Sequence, residues 1–228
     1  MFDFTSAHHL GWEHPSASLP SWPALTTGRP AALDEGTGAD IERSLADLTG
    51  MERGIVSRST LHAGWDVGTV LGGRDTVFLV DGGSYPTSSV AVSTAASRGS
   101  AIVPFRHHDA MALERAMRRM ARPRCVVLTD GWCPGCGNAA PLADYHRAAS
   151  RERGILLVDD TQAVGVLGPR GGGTVRRAGL CGCHAVAMSS LAKAFAAPLA
   201  VTTGPRAIID RVRAGGPSRL SASPPTRA

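Results

Sequence analysis

The stretch CVVLTDGWCPGCGNAAPLADYHRAASRERGILLVDD, residues 125–160, decides the fold. Residues 125–131 and 155–160 are apolar on successive positions, the pattern of strands buried on both faces. Between them PLADYHRAASRERG, residues 141–154, reads as a helix closed by Gly154 at its C-cap. Strand, helix, strand is the βαβ unit, which joins parallel strands. Working outward, similar strand-like runs occupy 76–82, 101–105, 185–190 and 199–204. Residues 38–50 read as an amphipathic helix ending at Gly50, and residues 112–124 as another, with Leu113, Met117 and Met120 on its apolar face. The expected class is α/β, three layers α/β/α around a mostly parallel sheet. Residues 1–37, rich in Pro, His and Trp, read as an extended arm, 38–205 as the main domain, and 206–228 as a tail whose last stretch, GGPSRLSASPPTRA, looks loose.

Bulk properties exclude several classes. The net charge is +5, but the arginines are scattered and their densest group is the solvated face of the 112–124 helix. No zinc-finger, RRM or helix-turn-helix signature accompanies them, so no nucleic-acid partner is expected. No apolar run approaches the roughly 18 residues of a membrane helix, so no membrane partner is expected. The N-terminus MFDFTSAHHLGWEHPS has neither a basic n-region nor an apolar h-region, and a cytoplasmic location follows by default. Four of the five cysteines form a C-x-x-C (Cys133, Cys136) and a C-x-C (Cys181, Cys183). Two such pairs could make a tetrahedral zinc site, although the C-x-C spacing is tight for its second half. The expectation is reduced thiols and no metal, with zinc on that quartet as the rival reading.

One residue stands apart. Of 24 Lys and Arg, a single one, Lys193 in SSLAKAFAAP (189–198), is lysine. Arginine matches its charge but is not an amine nucleophile, so a lysine kept in an arginine-rich chain is a candidate for Schiff-base chemistry. In open α/β sheets ligands collect at the carboxyl ends of the strands. The polar residues there are Asp81, Asp130, Asp159, Asp160, Ser189 and Ser190. An aldehyde-reactive lysine, serine donors for a phosphate and a strand-end carboxylate together describe a site for pyridoxal phosphate (PLP).

These segments resemble the PLP-dependent α-oxoamine synthases, enzymes of fold type I. LLVDDTQAVGVLGPRGGG (156–173) is similar to their V-D-[ED]-A-H-A-x-G-x-L-G-x-x-G-x-G motif, and SSLAKAF to their T-L-x-K-A lysine motif. TDGWCPGCGNAAPL (129–142), FRHHDAMALE (105–114), IERSLADLTGME (41–52) and HHLGWEHP (8–15) match further family segments in the same order. The resemblance implies the large domain of fold type I, with the C-terminal small domain missing after 228. It implies that Lys193 forms the aldimine with PLP, that Asp159 pairs with the pyridine nitrogen, and that Ser190 binds the phosphate. Ser59, Thr60 and Leu61, in SRSTLHAGW (57–65), would donate to the same phosphate. Amino acid and acyl thioester substrates and a homodimer are implied as partners.

Where the family has a ring-stacking histidine, DGGSYPT (81–87) has Tyr85, which can still stack. Gln162 replaces the histidine of D-[ED]-A-H; it can hydrogen-bond the cofactor's phenolic oxygen but cannot titrate. Pro134 stands where a serine is usual. His107 and His108 read as structural. The expected function is a PLP-dependent acyltransferase condensing an amino acid with an acyl thioester. An aminotransferase-like enzyme, or a truncated non-catalytic PLP-fold protein with a binding or scaffold role, are the alternatives.

Overall fold

A computed structural model describes residues 6–21, 28–33, 38–120, 123–180, 182 and 184–225. In chain order the elements begin with α1 (Ala39–Thr49), β1 (Arg53–Ser57), α2 (Thr60–Leu71), β2 (Thr76–Asp81), α3 (Ser89–Ser97), β3 (Ala101–Phe105) and α4 (Ala110–Met117). They continue with β4 (Arg124–Asp130), a small hairpin of β5 (Trp132–Cys133) and β6 (Asn138–Ala139), α5 (Leu142–Arg151) and β7 (Ile155–Asp159). The last are α6 (Gly173–Arg177), β8 (Ala185–Ser190), β9 (Ala200–Gly204), α7 (Arg206–Gly215) and α8 (Pro217–Ser221).

Seven strands form one sheet in the order β1-β9-β8-β7-β4-β2-β3. It is parallel throughout, except that β9 runs antiparallel to both its neighbours. Because side chains alternate across a strand, each apolar run feeds two cores. Val77, Leu79, Val127, Leu156 and Val158 face one layer with Leu113, Leu142 and Tyr145. Phe78, Val126, Leu128, Leu157 and Val186 face the other, with Val67 and Leu71 of α2 and Ile209 of α7. Each such side chain, fully buried, contributes roughly 1.5–3 kcal/mol. The expected three-layer α/β/α architecture is what forms.

Several local expectations need correction. The helix expected over 112–124 ends at Met117. The left-handed turn after α5 is taken by Arg153 (φ 50°), not Gly154. Gly154 serves instead for close approach, since a Cβ there would strike the Cys125 side chain. The stretch expected to be loose is folded through residue 221. Ile208, Ile209 and Val212 of α7 are buried, while α8 is held by polar contacts. The Ser218 amide (2.8 Å) and hydroxyl (2.6 Å) donate to the buried Asp66, and Arg219 donates to the Ala31 carbonyl at 2.7 Å. Such long-range polar anchoring leaves no periodicity to read. Among the described residues no helix is long and apolar enough to cross a membrane.

Candidate active site

β4 and β7 pair so that Asp130 lies directly opposite Asp159, both at the carboxyl ends of their strands. Two buried carboxylates therefore line one cavity of about 210 Å³, whose walls also carry Lys193, Tyr85, Gln162, Ser190 and Thr60. Asp159 accepts the Thr161 amide at 3.1 Å. Burial pushes its carboxyl well above the usual range; the Thr161 bonds, the Lys193 charge and the Thr87 hydroxyl pull the other way without cancelling that cost. Asp130 is pushed up to about 7, first by burial and then by Asp159 and Asp81, against the pull of the Tyr85 amide and His107. That amide donates to both Asp130 oxygens, at 3.1 and 2.9 Å, and so pins the loop carrying Tyr85. Asp160 points away from the cavity. It accepts the Thr174 hydroxyl and the Val175 amide, anchoring α6, and burial lifts it to about 6.

Lys193 follows β8 in a compact loop closed by Leu191 N–H to Leu199 O at 2.8 Å. Its Nζ lies 5.5 Å from the Tyr85 ring centroid, and Tyr85 is 43% exposed. The loop is supported from beneath and above. Beneath it, Gly165 at φ 85° comes so close that a Cβ would strike Ala194 and Phe195. Within it, Ala196 adopts φ 51°, a left-handed conformation that glycine tolerates best. From above, the N-terminal arm straps it down. The His9 amide donates to the Lys193 carbonyl at 2.8 Å, and His14 Nε2 hydrogen-bonds the Phe195 carbonyl at 2.9 Å. The Trp12 and Phe195 rings meet edge to face at 5.9 Å.

Six of the eight residues expected at the site, namely Lys193, Asp159, Tyr85, Gln162, Ser190 and Thr60, are brought to one cavity. Ser59 and Leu61 flank Thr60 rather than lining the wall. The Ser59 hydroxyl caps α2, accepting from the His62 amide at 3.4 Å and meeting His62 Nδ1 at 2.9 Å. Leu61 is half exposed. Two wall residues had escaped notice. Thr161 hydroxyl accepts the Ser190 amide at 2.9 Å, tying the Asp159 turn to the lysine strand, and Thr87 reaches Asp159. Their positions two residues beyond Asp159 and Tyr85 are the only signal the chain offers. Of the cysteine quartet, Cys181 and Cys183 lie outside the described residues.

The state of Asp130 has a measurable consequence. Its folded value, about 7, lies above its usual 3.8, so stability present below about pH 4 is lost as pH rises through 7. Asp130→Asn removes that loss. With the Coulombic share discounted for solvent screening, the variant is expected to gain about 1–2 kcal/mol at pH 8, roughly 2–8 °C in Tm. Thermal melts should show the gain shrinking toward pH 4.

The family profile "Aminotransferase class I and II" matches residues 34–227. An 8-amino-7-oxononanoate synthase from Mycolicibacterium gilvum is 30% identical over 221 residues, covering 93% of this chain and 57% of that protein. Another, from Anaeromyxobacter sp., is 33% identical over 170 residues, 75% of this chain and 42% of its own length. The chain thus spans about half the length of these curated relatives. A lysine-to-alanine variant of serine palmitoyltransferase from S. paucimobilis, solved with a bound PLP–myriocin aldimine, superposes with a TM-score of 0.79 at 21% identity, covering 89% of this chain and 51% of that one. At that identity the likeness speaks for the fold alone.

Proposed function

Because the chain belongs to the aminotransferase class I and II family, on the branch of the PLP-dependent α-oxoamine synthases, we propose that it holds PLP at Lys193 and condenses an amino acid with an acyl thioester. One observation carries this reading: the chain's single lysine shares a cavity with a buried, proton-seeking carboxylate and an aromatic ring.

The residues fit the cofactor's chemistry. Asp159, costly as a lone buried anion, gains a partner in a protonated pyridine nitrogen. Tyr85 offers its ring for stacking, as an aromatic side chain can. Thr60 and Ser190 bring hydroxyls, and Thr60 stands at the N-terminus of the 12-residue α2, where free amides favour a phosphate. Gln162 can donate to a phenolic oxygen. When bound, PLP supplies an electron sink for negative charge on the carbon beside the amino group. Lys193 Nζ would take the proton from the substrate Cα and later return it. Asp130, poised near 7, keeps the Tyr85 loop in place through both its oxygens.

Release of free thiol from an acyl thioester, dependent on both PLP and an added amino acid, is the expected assay result. Conversion of the amino acid to its oxo acid without thiol release would favour the aminotransferase reading instead. Neither product from any amino acid would leave a binding or scaffold role.

A further inference from the structure

Beside the cofactor cavity lies a second cluster whose donor atoms have no part in the reaction above. The β5–β6 hairpin turns through Cys133-Pro-Gly-Cys136, with Gly137 at φ 68° and its amide on the Cys133 carbonyl at 2.9 Å. The Cys136 amide points at the Cys133 sulfur, 3.5 Å away, an N–H aimed where a thiolate would stand. His107, from the loop after β3, enters the same turn. Its Nε2 is 3.3 Å from Cys136 Sγ, and the donor atoms of His107, Cys133 and Cys136 all lie within 4.8 Å of one another. His108 stacks on His107 with centroids 3.7 Å apart and sets Nδ1 3.9 Å from Cys136 Sγ. It does so at φ 52°, an uncommon conformation for a non-glycine residue.

The far side of His107 is equally specific. Nδ1 meets Asp81 Oδ1 at 2.6 Å. Asp81 is in turn fixed by the Gly83 amide on Oδ1, and by the His108 amide and Tyr145 hydroxyl on Oδ2. A carboxylate that accepts the Nδ1–H hydrogen bond leaves the Nε2 lone pair facing the two sulfurs, the arrangement by which proteins orient a metal-binding histidine. Zn–S bonds near 2.3 Å and Zn–N bonds near 2.0 Å put tetrahedral donors roughly 3.5 Å apart, close to the 3.3 and 3.9 Å found here.

We propose that Cys133, Cys136 and His107 form a zinc site, with Asp81 orienting His107 and His108 turning off the His107 ring to supply the fourth ligand when the ion binds. Borderline-soft sulfur and imidazole donors select zinc over magnesium or calcium. This ligand set replaces the quartet with Cys181 and Cys183 weighed from sequence, and it gives His107 and His108 a role beyond packing. The site is structural in kind. It staples the hairpin to the loop that bears Tyr85, since Cys133 Sγ sits 4.0 Å from the Gly83 carbonyl, two residues before that ring.

The test needs no PLP. The full chain, produced with zinc and purified under reducing conditions, is assayed for metal by mass spectrometry and for affinity by chelator competition. One equivalent is expected in the wild type and in Cys181→Ser/Cys183→Ser. Cys136→Ser, a change at an exposed turn, should bind at least tenfold more weakly, and Asp81→Asn roughly 10–100-fold more weakly. Cobalt in the wild type should show thiolate charge-transfer absorption. Less than a tenth of an equivalent of zinc, with the two thiols free or joined in a disulfide, overturns the site. So does a Cys136→Ser loss below tenfold, or zinc that disappears in the Cys181→Ser/Cys183→Ser protein.

Discussion

Lys193→Ala is expected to abolish covalent attachment of PLP while leaving the fold intact. The side chain ends in a cavity and contributes a cation over Tyr85 at 5.5 Å, not a core contact, so its loss should cost little stability. A cation–π contact at such a site is worth about 0.5–1 kcal/mol. Among the side chains only this one offers a lysine amine, since every other basic residue counted with it is arginine. Treatment of the PLP-loaded wild type with borohydride should fix the cofactor on the peptide carrying Lys193. The variant should show neither that mass gain nor the visible absorption of the wild type. If thiol release is the activity, it should fall by about 10²–10⁴-fold, the loss typical of a positioned proton-transfer group. An adduct that survives the substitution would move the chemistry to another amine.

Asp159→Asn carries the second large effect, and its two halves have opposite sign. Without cofactor, burial holds the Asp159 carboxyl above its ordinary range, so stability present at low pH is lost as pH rises through the folded value. The neutral amide escapes that loss, and the apoprotein should melt higher than wild type at pH 8, with the gain fading toward pH 4. With cofactor, the amide leaves a buried cation unpaired. Truncating one partner of a buried charge pair costs about 2–5 kcal/mol, so PLP should bind roughly 30-fold to several thousand-fold more weakly. Melting with and without PLP, combined with equilibrium dialysis, reads both halves. An aspartate that served only to cap the Thr161 turn would lower stability in both states. That pattern would remove Asp159 from the cofactor's partners.

Much of the fold is legible because parallel strands buried on both faces show up as unbroken apolar runs; β2, β4, β7 and β8 all do so. β1, RGIVS, is short and opens on Arg-Gly, so no run announces it. α2, TLHAGWDVGTVL, carries two glycines and two threonines, which are poor helix formers. It is helical because Ala63, Val67 and Leu71 are buried against the sheet and Gly68 lets α3 approach closely. Here tertiary contact overrides local propensity. The antiparallel direction of β9 leaves no trace in composition at all, since an edge-to-edge reversal changes partners and not residues.

The site divides along the same line. Lys193, Asp159 and Ser190 could be proposed from residue type and strand-end position, whereas Tyr85 and Gln162 are legible only through the family resemblance. What each then experiences depends on distance through space. Asp130 is lifted to about 7 because the sheet register sets it opposite Asp159 and burial strips its water. Thr87 and Thr161 matter because two loops converge on one carboxylate. Cys133 and Cys136 meet His107, 26 residues before the first of them, because β3 and β4 flank β2 and end at the same edge of the sheet. Residue types and local spacing lie in the order of the chain. Desolvation, charge coupling and convergent donors arise only when distant segments share a small volume, and that is what the tertiary structure decided.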